Sequence, residues 1–221
     1  MKTLTESIFD TFDDEGNVTT DSSELVKQDI IDWIKENYKC RGNIIFDKKK
    51  TNDSKFIINY NGDIIIKNHN ITSLTNGQFV WGKIGGDFNC YDCKSLKSLE
   101  GAPEKVTGDF ICNFCDNLTS LKGAPEKVSM NFNCANCESL ISLKGAPKEV
   151  GRHFDCSCCH RLESLEGAPQ KVGEVFNCSF CSSLTSLDDS PKDIGGSFNF
   201  GFCDSLKSLD NSLKKSVMNN Q

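Results

Sequence analysis

The sequence predicts a mainly β protein (α+β overall), in which short parallel strands stack into a solenoid behind an N-terminal cap. A phrase of 22 residues repeats along the chain, and its phenylalanines keep a constant spacing: Phe88, Phe110, Phe132, Phe154, Phe176 and Phe198. All five prolines follow the same period: Pro103, Pro125, Pro147, Pro169 and Pro191. The hydrophobic fraction of 37% is low for a compact globule and suits a thin, linear core.

Each repeat contains a short strand followed by a turn. Phe88 and Cys90 are two residues apart, the spacing at which strand side chains share one face. Three further positions are expected to face inward: Leu96, Leu99 and Val106. Residues 101–103 (Gly-Ala-Pro) turn the chain, because glycine relieves turn strain and proline fixes φ. The stretch between Leu99 and Val106 is too short for a useful helix, so each coil is predicted to be a strand, a loop and an irregular return.

The repeated phrase Val-x-x-x-Phe-x-Cys-x-x-Cys-x-x-Leu-x-x-Leu resembles the leucine-rich repeat in its cysteine-containing variety. Phe and the first Cys stand at the positions of the two consensus leucines of the strand, and the second Cys stands at the position of the Asn/Cys ladder. The ending Leu-x-Ser-Leu-x-Gly-Ala-Pro is similar to repeats found in phage and bacterial proteins. This resemblance implies a right-handed solenoid that binds proteins, and it suggests a viral or bacterial origin. It covers residues 86–213 closely and 62–85 loosely.

The repeat array is predicted to span residues 62–213, with a degenerate first repeat at 62–85 and six repeats at 86–213. The last two repeats depart from the pattern, as terminal capping repeats do. The departures are Phe200 for Cys, Asp188-Asp189-Ser190 for Glu-Gly-Ala, and Leu213 for Pro. Residues 56–60 are expected to form a hairpin with the first repeat, because the intervening Asn61-Gly62 favours a tight turn.

Residues 21–61 are predicted to cap the open N-terminal end of the array. Residues 24–38 have helical spacing of apolar side chains, and Asp21 with Glu24 forms a plausible capping box. The apolar face of this helix comprises Val26, Ile30, Trp33 and Ile34. The remaining segments are polar: residues 1–20 are acidic and expected to be flexible, and residues 214–221 form a polar tail.

The chain has 13 cysteines, of which 12 lie in the array; eleven of these form two columns at the period of the repeat, and Cys158 is extra. Three interpretations compete: buried core residues, zinc ligands of the Cys-x-x-Cys kind, and disulfides. The first column begins at Ile66 and ends at Phe200, and neither residue can bind a metal. That substitution pattern favours the core interpretation, so no metal or cofactor is expected. In the second column, a thiol can donate weakly to backbone groups of the turn.

The charge of the chain argues against a nucleic-acid partner, and its hydropathy pattern argues against a membrane-spanning segment. The net charge is −6, and the densest basic run is Lys48-Lys49-Lys50, which is more typical of solvated surface. No apolar stretch approaches the ~20 residues that cross a bilayer, and the first ten residues lack a secretory signal. The expected location is therefore the cytoplasm, or the host cytosol if the protein is viral.

Catalysis is not expected from this sequence. A pair formed by Cys158 with His153 or His160 can be imagined, but the repeat singles out no third group that would orient it. The histidines are interpreted as surface residues on a regular scaffold.

The exposed face of the strands is the predicted binding surface, since solenoids use such extended surfaces. Its variable positions are the candidates for contact with a protein partner: Tyr91, Ile111, Phe114, His153, Phe180 and Phe202. The aromatic residues are alternatively a spine that packs adjacent turns together. Two other functions stay open, a structural component of an assembly and a metal-binding or redox protein, and the oligomeric state is undetermined.

Overall fold

A computed structural model describes residues 11–12, 18–19, 22–40 and 43–207, and the repeats in it coil into a β-solenoid of about seven turns. The predicted mainly β solenoid with an N-terminal helix is confirmed. The elements are β1 (Thr11–Phe12), β2 (Val18–Thr19), α1 (Ser22–Asn37), β3 (Tyr38–Cys40), β4 (Ile44–Lys50), β5 (Phe56–Tyr60), β6 (Ile64–Ile66), β7 (Phe79–Ile84), β8 (Phe88–Asn89), β9 (Lys105–Val106), β10 (Phe110–Ile111), β11 (Lys127–Val128), β12 (Phe132–Asn133), β13 (Glu149–Val150), β14 (Phe154–Asp155), β15 (Lys171–Val172), β16 (Phe176–Asn177), β17 (Asp193–Ile194) and β18 (Phe198–Asn199).

One wall of the solenoid, the Phe sheet, has eight strands in the order β18-β16-β14-β12-β10-β8-β6-β3. From β6 to β18 neighbouring strands are parallel, and the repeated phenylalanines stand in register. Phe110, Phe132 and Phe154 are fully buried, and their rings stack at centroid distances of 5.2 and 5.3 Å. The strand spacing therefore sets the spacing of the aromatic column, and each ring covers the next.

The opposite wall, the Val sheet, has eight strands in the order β17-β15-β13-β11-β9-β7-β5-β4. The expectation of an irregular return is therefore wrong, because every return that the structure describes contains a second short strand. Val128 of β11 is buried and pairs with Val106 and Val150 of its neighbours, whereas Lys127 is exposed. A strand of two residues is too short to give a recognisable alternation in the sequence.

The Gly-Ala-Pro turn joins the two walls as expected. The φ angle of Gly123 is 93°, and a Cβ atom there would lie 2.5 Å from the carbonyl oxygen of Leu99 in the preceding turn. The left-handed backbone and the close packing of turns both require glycine at this position.

The N-terminal cap consists of α1, β3 and β4. Ile30 and Ile34 of α1 are fully buried, and the Trp33 ring packs edge-on against Phe79 of β7 at 5.8 Å. The predicted apolar face of the helix is therefore confirmed, and it covers the first turn of the array. Asp21 of the expected capping box lies outside the described residues.

The expected hairpin between residues 56–60 and the first repeat is wrong. Instead β5 pairs antiparallel with β4 and parallel with β7 in the Val sheet, whereas β6 lies between β3 and β8 in the Phe sheet. Asn61-Gly62 is the corner between the walls. The physical reason is burial: Ile58 packs on one wall and Ile64 on the other, and a hairpin would place both in one sheet.

The terminal segments are described only in part. Within residues 1–20, β1 and β2 pair antiparallel, and the rest of the segment predicted to be flexible lies outside the described residues. The predicted tail at 214–221 also lies outside them. Within the described ranges, no helix combines the length and the apolar character that crossing a bilayer requires.

Candidate functional site

The candidate site is the outward face of the Phe sheet together with the loop that follows each strand. Alternation along the strands produces columns of outward positions, one residue from each turn. The first outer column is Asp87, Asp109, Asn131, His153, Val175 and Ser197. The second is Asn89, Ile111, Asn133, Asp155, Asn177 and Asn199, and the third is Tyr91, Asn113, Ala135, Ser157, Ser179 and Gly201.

The polar side chains of the first outer column join adjacent turns by accepting backbone hydrogen bonds from the next turn. Oδ1 of Asp87 accepts the backbone N–H of Asp109 at 2.7 Å, and Oδ1 of Asp109 accepts that of Asn131 at 2.9 Å. Oδ1 of Asn131 accepts the backbone N–H of His153 at 3.1 Å. The interaction needs one acceptor oxygen, so an amide serves as well as a carboxylate.

In the second outer column, side-chain oxygens bind the loop of their own turn. Oδ1 of Asn133 accepts the backbone N–H of Ala135 at 3.0 Å, and Asp155 does the same two residues along. Ile111 departs from this pattern because its side chain has no acceptor. The scaffold therefore does not require this half-buried isoleucine at the position.

A shallow open depression of about 350 Å³ lies on this face across β10, β12, β14 and β16. Its walls include Ile111 and His153, so the structure brings these two candidates to one place. Val175 also lines it and was not among the sequence candidates. His153 Nε2 lies 3.1 Å from the Glu174 carboxylate, which itself accepts from Arg152 Nε at 2.9 Å.

The residue before the second cysteine of each repeat has a left-handed backbone, with φ between 56 and 60°. This left-handed column is Asp92, Phe114, Asn136, Cys158, Phe180 and Phe202. The conformation lets the backbone N–H reach the next turn: that of Phe114 donates to the Ala135 carbonyl at 3.0 Å, and that of Asn136 to the Ser157 carbonyl at 2.9 Å. Asn and Asp tolerate this backbone, whereas a bulky side chain is strained in it by ~1–2 kcal/mol.

The candidate aromatic residues form two separate pairs, one between Phe114 and Tyr91 of the third outer column and one within the left-handed column. The rings of Tyr91 and Phe114 meet edge-on at 5.5 Å, and those of Phe180 and Phe202 stack at 4.6 Å. Both pairs join adjacent turns, as the alternative spine interpretation requires. They nonetheless stay on the surface: Phe114 is 40% exposed and Phe202 is 72% exposed. Asn136 and Cys158 separate the two pairs.

The cysteines of the two columns are core residues, as the sequence favoured. All thirteen cysteines are free, and both columns of the array are buried. The thiol of Cys137 donates to the carbonyl oxygen of Cys112 at 3.3 Å, a bond that ties the second column to the preceding turn. Burial raises the pKa of Cys134 and Cys156 well above the usual thiol value, so these groups stay protonated. Among the described residues, no three His, Cys, Asp or Glu side chains are placed to hold a metal ion.

Sequence reasoning missed the left-handed column as a set. The signal was present, since Asp92 and Asn136 are the residue types that favour this backbone and stand at the position of Phe114. It also missed that Cys158, the one array cysteine outside the two columns, belongs to the same set and is half-buried, not core.

The fold and this face define a class: a β-solenoid repeat protein with an exposed parallel sheet on one wall. Comparison of the chain with protein-family models, curated proteins and solved structures gave no match.

Proposed function

We propose that the chain is a non-catalytic repeat protein that binds another protein through the outward face of the Phe sheet and the left-handed column beside it. The observation that carries this proposal is the placement of Phe114, Phe180 and Phe202. All three are exposed aromatic residues on a backbone conformation that disfavours them.

The repeats act as an internal control for this argument. Asp92 and Asn136 fill the same position in other turns and suit the left-handed backbone. The solenoid therefore does not require phenylalanine there. Exposed aromatic side chains are characteristic anchors of protein interfaces, because they bury a large area at a low entropic cost.

We further propose that the turns are a variant of the leucine-rich repeat. Phe and the first cysteine occupy the inward strand positions, and the second cysteine donates to a backbone carbonyl, which is the role of the Asn/Cys ladder. A viral or bacterial origin follows from the same resemblance. Thirteen free cysteines favour a reducing cytoplasm as the place of action.

The test is photo-crosslinking from Cys158, which lies in the left-handed column between the aromatic pairs. The protein is labelled there with a benzophenone maleimide, mixed with bacterial lysate and irradiated. A variant carrying Phe114→Asn, Phe180→Asn and Phe202→Asn places the residue type of position 136 at all three sites. A matched control carries the label at Glu104→Cys in a Cys158→Ser background, on the exposed return side of the turn.

We expect a protein that crosslinks to wild type and is lost in the triple variant and in the Glu104→Cys control. Equal crosslinking by wild type and the triple variant would contradict the proposal.

A second candidate function is assembly through the C-terminal end of the array. At the C-terminal end of the described strands, β17 and β18 each have a neighbour on one side only, as β3 and β4 do at the N-terminal end, and Phe202 beside β18 is 72% exposed. Sedimentation velocity distinguishes this candidate, because assembly predicts concentration-dependent oligomers that Phe202→Asn reduces.

A further inference from the structure

We infer that the occupant of the Phe-sheet face is a basic, extended segment of the partner, rich in lysine or arginine. This inference rests on the proposed function and names the chemistry of the ligand. It follows from the charge of the face, from what the scaffold needs there, and from the aromatic pairs at its edge.

The aspartates of the face form no ion pair with a lysine or arginine among the described residues, whereas His153 and Arg152 pair with Glu174 beside them. The eighteen positions of the face in the three outer columns include Asp87, Asp109 and Asp155 but no lysine or arginine. Two of these carboxylates, Asp109 and Asp155, line the depression. A cationic side chain entering the depression therefore meets negative charge from two turns.

Elsewhere on the array, charges are paired between turns. Lys127 lies 2.6 Å from Glu149, and Lys171 lies 2.9 Å from Asp193. Similar pairs join the other exposed columns, including Lys122 with Glu100 at 2.6 Å. These lysines are balanced by acids one turn away, whereas Asp87, Asp109 and Asp155 have no such partner among the described ion pairs.

The scaffold does not require the negative charges of the face. Asn131 makes the same bond between turns as Asp109, because its Oδ1 accepts a backbone N–H from the next turn at 3.1 Å. Asp87 and Asp109 directly precede the adjacent parallel strands β8 and β10, and like charges on neighbouring strands are destabilising. Carboxylates that cost stability and could be amides are explained by a ligand that carries the opposite charge.

The aromatic pairs suit the same ligand. Lysine and arginine cations bind over aromatic rings, and arginine also stacks on them. Phe114 and Phe180 belong to turns three strand spacings apart, or about 14 Å, which an extended peptide covers in about four residues. The depression spans the same turns, so one basic segment can reach both pairs and the carboxylates.

The experiment selects peptides from a displayed library of random twelve-residue sequences on the full chain. Counter-selection uses the Phe114→Asn/Phe180→Asn/Phe202→Asn variant. The most enriched peptide is then synthesised, and its Kd is measured for wild type and for an Asp87→Asn/Asp109→Asn/Asp155→Asn variant. The matched control, Glu104→Gln/Glu163→Gln/Asp188→Asn, removes the same charge from exposed positions outside the face. Asp109→Asn alone provides a milder change if the triple variant folds poorly.

We expect the enriched peptides to be rich in lysine and arginine. Affinity should fall about tenfold in the face variant, in keeping with three weak surface ion pairs, and stay unchanged in the matched control. Enriched peptides that are neutral or acidic, or that bind the face variant equally well, would overturn this inference and leave the proposed function standing. No enrichment over the counter-selected variant would overturn both.

Discussion

The thiol of Cys137 donates to the backbone carbonyl of Cys112, 25 residues earlier, at 3.3 Å. The same bond recurs from Cys115, Cys159, Cys181 and Cys203 at 3.1–3.3 Å. The two cysteines of each repeat therefore differ in role. The first packs in the core between strands, where Cys156 alone among the described first-column thiols donates to a carbonyl, that of Asn177 at 3.4 Å. The second satisfies a buried acceptor of the preceding turn, which would otherwise cost ~1–3 kcal/mol.

This difference predicts that the protein tolerates asparagine in place of the second cysteine of a repeat but not in place of the first. Cys137→Asn should keep most of the stability, because an amide N–H can replace the thiol as donor to the Cys112 carbonyl. Cys134→Asn should destabilise by roughly 2 kcal/mol or more, because it buries an amide at a strand position that serves only packing. Urea denaturation of the two variants measures the difference. Equal losses would contradict the ladder role and the leucine-rich-repeat interpretation with it.

Shortening a core leucine should be costly in a way that shortening a surface aliphatic is not. Leu121 is fully buried, and Leu121→Ala should lower the free energy of unfolding by ~2–5 kcal/mol through a cavity. Ile141 is 46% exposed, so Ile141→Ala serves as the control with an expected loss below ~1 kcal/mol. A similar loss in both would show that the turn does not pack as described.

Exchanges within the left-handed column should reveal its backbone preference. Asn136→Phe should destabilise the protein by ~1 kcal/mol, because it places a bulky side chain on a left-handed backbone. Phe114→Asn relieves that strain but loses the ring contact with Tyr91, which contributes ~0.5–1.5 kcal/mol, so its net effect should be close to zero. Thermal and urea unfolding test both changes. A large loss in Phe114→Asn would favour a structural spine over a binding anchor.

Stability should fall steeply at alkaline pH. Burial raises the pKa of Cys93 and Cys181 to about 12, whereas an unfolded thiol ionises near ~8.5. Between these values the unfolded chain binds fewer protons than the folded chain, so the free energy of unfolding decreases as pH rises. It is constant below about pH 8 and falls by about 1.4 kcal/mol per thiol for each pH unit above ~9.

Urea midpoints between pH 7 and 10.5 measure this dependence. In Cys134→Val one buried thiol is missing, so the alkaline slope should be shallower by about 1.4 kcal/mol per pH unit. Identical slopes in the variant and wild type would contradict the burial of a protonated thiol at that position.

The sequence by itself determined the period, the inward columns and the helix face. These features depend on residues close along the chain or on repetition at a fixed interval, so Phe110, Leu118 and Leu121 are recognisable as core without coordinates. Alternation alone would place Phe114 and Phe180 on the inward side with Phe110 and Phe176, and the left-handed backbone at these positions is what leaves them exposed. The aromatic character of these candidates was visible, but their pairing was not, because two rings can meet only once the strand spacing is known.

Tertiary structure decided the rest. Whether residues 56–60 pair with β4 or with β6 depended on which wall could bury Ile58. That depends on contacts with residues distant along the chain. The Val sheet arose because two-residue strands gain partners from the turns on either side, although neither residue signals a strand alone. The thiol of Cys137 found its acceptor 25 residues away only through stacking. The left-handed backbone of Phe114 is likewise held by a hydrogen bond to the next turn, a constraint from the assembled solenoid that phenylalanine itself does not signal.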